Sequence, residues 1–190
     1  VYRSEIEPLS NGVRHTFPMT ITVSGDEIVV DYEGSPPELL QGGLNCTLNF
    51  TQAKTFFALK CLLTPSIRAS AGCYRALTVK APEGSIVNCS AGTSVGLRHL
   101  TGSYLVGNIF QALSTAMPEA VQAYSGLPAI VHFFGKDEAG RSFSEHLYLG
   151  GGQGASAAQD GKSAVLWPTS ASNGSVEVLE TRAPVLVLEK

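Results

Sequence analysis

TITVSGDEIVVDYEGS, residues 20–35, decides how the chain begins to fold. Ile21 and Val23 alternate with polar neighbours, the period of a half-buried strand. Ser24-Gly25-Asp26 supplies turn chemistry, and Ile28-Val29-Val30 is apolar and β-branched throughout, so the stretch predicts a β-hairpin. Pro36-Pro37 ends the second strand, because proline donates nothing to a ladder. Upstream, residues 1–18 read as an extended, turn-rich entry.

Downstream the period changes. In FTQAKTFFALKCLL, residues 50–63, Phe50, Ala53, Phe57 and Cys61 recur at helical spacing with Phe56, Leu59 and Leu63 alongside. The spacing predicts a helix with a wide apolar stripe, stopped at Pro65. ALTVK (76–80) reads as a short strand closed by Pro82-Glu83-Gly84. A second helix is predicted over about 104–116, with Ser103 as N-cap and Leu105, Ile109, Leu113 and Met117 along one face. AIVHFF, SFSEHLYL, AVLW, SVEVLE and PVLVLE then read as strands, punctuated by the glycine run at 150–154. The sum is one α+β domain over residues 1–190: antiparallel strands with two long helices.

Composition narrows the function classes. Hydrophobic residues make up 44%, enough for a core, while charged residues are only 15% against about 25% in typical domains. So low a share implies surface that more protein covers, and the wide helical stripes predict an exposed apolar patch near both helices unless they are buried internally. A net charge of −3 with no Lys/Arg cluster excludes an extended phosphate footprint, hence nucleic acid as a partner. No apolar run approaches the length of a membrane helix, and the first residues have no signal-peptide pattern. The first residue is not Met, which leads us to expect a segment of a longer chain.

Cys46, Cys61, Cys73 and Cys89 form no CxxC pair, so zinc is not expected, and a reduced, cytoplasmic protein is. Asn45, Asn49, Asn88 and Asn173 each begin a glycosylation acceptor pattern. These, with two possible disulfides, leave open a non-catalytic secreted binding module. Among chemistry-bearing residues, GGGQGA (150–155) lacks the Gly-Lys-Ser/Thr of a phosphate cradle and reads as a tight loop of close backbone approach. His15, His99, His132 and His146 are scattered, although His132 and His146 fall in strands that can be neighbours. Arg98-His99 precedes the second helix, either as an anion-holding cation at a helix start or as a solvated loop. Glu177 and Glu180 are paired carboxylates or edge charges on a sheet. No nucleophile–base arrangement can be assembled, so the residues themselves yield no catalytic assignment.

The ordered landmarks reach further. DYEGSPPELLQGGLN (31–45), FTQAKTFFALKCLLTPSIRASAGCYRALTVKAPEGSIVN (50–88), the Ala112-Leu113 and Met117-Pro118-Glu119 piece, and GGGQGASAAQDGKSAVLWPTSASNGSVEVLE (150–180) together resemble the hydantoinase B/5-oxoprolinase family. The family also takes in 5-oxoprolinase C-terminal halves and acetone carboxylase subunits. The likeness implies a segment of a subunit that works with a hydantoinase A-type partner on cyclic amides such as hydantoins and 5-oxoproline. It implies ATP and a divalent metal for the whole complex, with neither held within this segment. It also implies contacts to the rest of its own subunit, and a substrate-facing role for Asp31, Asn45, Gly151, Gly152, Gly154, Asp160, Asn173 and Glu177. Two departures stand out: Leu166-Trp167-Pro168 where relatives often carry a histidine, and SAGTSVGLRHLTG in place of a Pro-Ala run.

Overall fold

A computed structural model describes residues 2–6, 14–169 and 174–189. The chain divides into two compact units, residues 1–121 and 122–190. The class is α+β.

The first unit is built on a four-stranded sheet in the order β1-β2-β3-β4, comprising β1 (Tyr2–Ile6), β2 (His15–Ser24), β3 (Glu27–Asp31) and β4 (Leu77–Lys80). The expected hairpin is β2–β3, with Ser24 opposite Glu27 across a two-residue Gly25-Asp26 turn. β1 pairs antiparallel with β2 inside the stretch read as an irregular entry. β4 lies parallel to β3, whereas antiparallel strands were expected. The cause is the connection: two parallel neighbours need a crossover, and α1 (Leu48–Leu63) lies in it. Along β2, His15, Phe17 and Met19 are buried at alternate positions.

α1 starts at Thr47, whose hydroxyl accepts the Phe50 N–H at 3.4 Å. Its buried residues are Thr51, Thr55, Ala58, Leu59 and Leu62, while Phe50, Phe57 and Cys61 of the apolar stripe are only half-buried. Two threonines occupy the deep face because each hydroxyl is satisfied there. Thr51 Oγ1 donates to Val87 O at 2.6 Å and Thr55 Oγ1 to Thr51 O at 2.8 Å, and the buried Tyr32 hydroxyl meets Thr55 Oγ1 at 2.7 Å. Burial holds the Tyr32 phenol well above its ordinary pKa, so it remains a neutral hydrogen-bonding group.

α2 (Arg98–Leu113) begins six residues before the sequence prediction. Ser103 is no cap: it lies inside the helix and its Oγ donates to His99 O at 2.8 Å. Arg98–Gly102 is a weak helix former, and tertiary contacts hold it. Thr101 Oγ1 donates to Leu44 O at 2.7 Å, and Gly102 lets Phe50 approach so closely that a Cβ would stand 2.6 Å from the ring. Leu59, Leu62, Leu105, Val106 and Ile109 are all buried. The helices' apolar residues therefore pack mainly inside this unit, and the large apolar residues exposed beside them are Leu63 and Ile67 at the end of α1 and Leu97 before α2.

The second unit contains a hairpin, β5 (Ala129–Lys136) with β6 (Ser142–Leu149), and a short α3 (Val176–Arg182). Asp137 closes the turn, its carboxylate accepting the Ala139 and Arg141 N–H groups and Arg141 Nε. Leu147, Leu179 and Ala183 form the core, with Phe133, Phe143, Leu149, Val185 and Val187 packed against it. Three sequence expectations fail here. VEVLE is helix α3, not strand, because its amphipathic side meets β6 through Leu179. AVLW forms no strand, only an isolated Gly152–Leu166 bridge. PVLVLE alternates correctly, with Val185 and Val187 packed and Leu186 and Leu188 exposed, yet joins no ladder.

Candidate functional site

Of the expected site residues, Asp31 and Asn45 belong to the first unit and the glycines, Asp160 and Glu177 to the second; Asn173 lies outside the described residues. Asp31 ends β3 and its Oδ1 accepts the Glu33 N–H at 2.9 Å, which turns the chain toward Pro36. Asn45 is fully buried. Its Oδ1 accepts the Leu39 N–H at 2.7 Å, and its Nδ2 donates to Leu39 O at 2.7 Å and Ser94 O at 3.0 Å. One amide thus ties two loops together at the start of α1.

Those loops are laced further. Leu97 N donates to Gly43 O at 2.7 Å, Cys46 N to Ile86 O at 2.7 Å and Cys89 N to Cys46 O at 3.0 Å. Beside them α1 and α2 both begin, with no acidic residue in either first turn. Lys54 and Arg98 stand over the Phe50 ring at 5.6 and 5.5 Å. Burial lowers the Lys54 ammonium pKa, and His99 is lowered first by burial and then by Arg98 and Lys54. The Glu38 carboxylate stands in the adjoining loop, where it accepts the Ser90 N–H at 2.6 Å.

In the second unit the glycine run is occupied by its own backbone. Gly152 N–H donates to Val165 O at 3.1 Å and Gln153 N–H to Lys162 O at 2.8 Å, so these amides are not presented to a phosphate. Gly152 has φ +99°, a left-handed conformation that disfavours side chains. A Cβ on Gly154 would lie 1.8 Å from Ala123 O, and one on Gly161 1.8 Å from Gln153 O. The run is a close-packed backbone crossing, as its composition predicted. Gly151 differs: a Cβ there would meet Ser125 O at 3.5 Å and Leu127 O at 3.9 Å, both ordinary contacts. Asp160 is exposed, and Glu177, also exposed, is hydrogen-bonded by Ser175 Oγ in the first turn of α3.

A cleft of about 730 Å³ opens between the hairpin turn and the end of α3, lined among others by Asp137, Arg141, Phe143, Glu180 and Arg182. Sequence reasoning singled out only Glu180 of these. Backbone N–H groups and the Arg141 side chain hold the Asp137 carboxyl below the usual carboxylate range. Glu180 Oε1 accepts the Val187 N–H at 2.8 Å, and Arg182 faces Glu145 at 4.0 Å. The polar lining is thus largely engaged in holding the cleft walls. Among the described residues no group of three or more His, Cys, Asp or Glu is placed to hold a metal ion, so a three-ligand protein site for the divalent metal implied for the whole complex is not formed by them.

The features behind the secreted-module alternative divide: Asn49 is exposed and Asn173 lies outside the described residues, while the others are engaged in the fold. Asn45 is buried and fully hydrogen-bonded, Asn88 Nδ2 donates to Ala81 O at 3.0 Å, and all four cysteines are free thiols. Among the described residues no helix is long and apolar enough to cross a membrane.

The hydantoinase B/oxoprolinase family model matches residues 2–190, and the chain belongs to that family. It is 32% identical over 173 residues to an uncharacterised protein of Methanocaldococcus jannaschii, covering 90% of this chain and 30% of that protein. It is 29% identical over 163 residues to a 5-oxoprolinase of Pestalotiopsis fici, covering 84% of this chain and 12% of that enzyme. The fold matches the ATP-dependent caprolactamase of Pseudomonas jessenii with a TM-score of 0.79 at 22% identity, over 99% of this chain and 34% of that one. The chain therefore spans about a third or less of each of these proteins.

Proposed function

We propose that this chain is a segment of a hydantoinase B-type subunit that, with an ATP-handling hydantoinase A-type partner, opens cyclic amides such as hydantoins or 5-oxoproline. The observation that carries the reading is the family match along residues 2–190, in which the ordered landmarks of both units take part. In this reading Asn45 shapes the backbone of the first unit, and Gly152 and Gly154 that of the second. ATP and the divalent metal act in parts of the complex beyond these residues. The free thiols support a reducing, cytoplasmic setting.

The test is reconstitution of the full-length subunit with its A-type partner. ADP release and ring-opened product are measured with hydantoin, 5-oxoproline and caprolactam. The expected result is ADP release that depends on a cyclic amide and disappears when either subunit is omitted. Turnover by the 190-residue chain alone, or ADP release indifferent to every cyclic amide, overturns the proposal.

A further inference from the structure

We propose that His132 and His146 form a two-imidazole site for a divalent transition-metal ion on the open face of the β5–β6 hairpin. The two residues are direct register partners across the antiparallel pair. Their rings lie side by side, 4.2 Å between centroids and 9° from parallel. Both are exposed, because the residues alternating with them, among them Phe133, Phe143 and Leu147, turn to the core with α3. Directly opposed residues on one face of a sheet carry Cβ atoms about 4.5–5.5 Å apart. From that spacing two imidazoles converge on one ion at metal–nitrogen distances of about 2.0–2.1 Å after each exposed ring pivots from its stacked position.

A neighbouring hydroxyl supports the assignment. Ser144 Oγ lies 2.7 Å from His132 Nε2. In the tautomer with the proton on Nε2, that N–H donates to Ser144 Oγ and leaves the Nδ1 lone pair for an ion. This is the orienting bond that metal-ligating histidines ordinarily make through their second nitrogen. Phe134 flanks His132 at 5.2 Å and Tyr148 flanks His146 at 6.3 Å. The other positions of this face closest to the pair are Ile130, Phe134, Ser144 and Tyr148, none of them a carboxylate.

The donor set is thus two neutral nitrogens plus solvent. It suits Ni²⁺, Cu²⁺ or Zn²⁺ and is poor for Mg²⁺ or Ca²⁺, which prefer oxygen. Structural zinc sites use four protein ligands. A two-ligand site on an exposed strand face is instead exchangeable, able to take up an ion and release it to a better donor set.

The test titrates the whole 190-residue chain with Ni²⁺ alone, by calorimetry and by NMR of the histidine ring protons, with Mg²⁺ as the hard-ion control. Ni²⁺ is chosen because Cu²⁺ would oxidise the accessible thiols. The expected result is one Ni²⁺ per chain, with paramagnetic broadening of His132 and His146 but not His15 or His99, and no response to Mg²⁺. His132→Gln and His146→Gln should each weaken binding by about tenfold or more, and Ser144→Ala by less, with unchanged circular dichroism. No uptake, or uptake that survives either histidine substitution or depends on only one of them, overturns the proposal.

Discussion

Gly154→Ala tests the glycine crossing most directly. The added Cβ would sit 1.8 Å from Ala123 O and 2.5 Å from Ala123 C, both backbone atoms that no rotamer change can move aside. The φ of Gly154 lies outside the left-handed region, so the penalty is steric alone. Relieving the overlap means displacing the backbone segment at Ala123, and overpacking of this kind costs about 1–3 kcal/mol. The same displacement stretches the Ala123 N–H bond to Ala155 O, now 2.8 Å, which adds about 0.5–1.5 kcal/mol. The expected loss is about 2–4 kcal/mol, confined to the second unit. The chain's single tryptophan, Trp167, lies in that unit, so urea unfolding followed by its fluorescence reads the unit directly. Hydrogen exchange at the Ala123 amide gives a second local measure. Gly151→Ala is the control, with a nearest contact at an ordinary 3.5 Å and an expected change within about 0.5 kcal/mol. If Gly154→Ala unfolds with the wild-type midpoint and slope, the close-approach argument is wrong.

Asn45→Ala should cost about 2–4 kcal/mol by leaving Leu39 N–H, Leu39 C=O and Ser94 C=O without their partner, read as a lower urea midpoint by far-ultraviolet circular dichroism; a change under about 0.5 kcal/mol would mean that water replaces the amide freely. Gly102→Ala should destabilise the α1–α2 packing by about 1 kcal/mol net, overpacking against Phe50 outweighing the gain in helix propensity. In a Phe50→Leu background the same change should become stabilising, and a thermal-unfolding double-mutant cycle showing additivity would contradict the contact. Cys73 should alkylate fastest of the four cysteines. Hydrogen bonding by Ser70 lowers its pKa, so its rate should rise through a lower midpoint than those of the other three thiols. Ser70→Ala should shift that midpoint upward. Cys46, buried and pushed up to about 12, should stay unmodified until the chain unfolds, and peptide mapping after timed iodoacetamide treatment across pH would show the reverse order if the environments are misread.

Some of this molecule was legible in its residues. The β2–β3 hairpin follows from a turn between alternating and β-branched runs, and α1 from apolar spacing ended by proline. The crowding of the 150–154 run follows from glycine itself, since four glycines in five positions have few reasons other than backbone contact. The family likeness rested on the order of such landmarks, and order survives where no single motif is specific.

Other features belong to the tertiary structure. Threonine counts as polar in any periodicity, so the buried Thr51–Thr55 face of α1 could not be told from a solvated one until Tyr32 and Val87 O were placed beside it. β3–β4 pairing is non-local, and its direction depends on the crossover that joins the strands. Seven residues of VEVLETR are too few for a helical period to outweigh their β-branched content, and their state was decided by what Leu179 packs against. Asn45 reads equally as a ligand or a brace until three backbone partners occupy its amide. The neighbours of His132 and His146 within the chain say nothing of their stacking, which register across β5–β6 alone produces. Local sequence fixes what each segment prefers in isolation. Which polar groups can be buried, and which strand direction wins, depends on partners tens of residues away, because a buried hydrogen bond stabilises only when both ends arrive together.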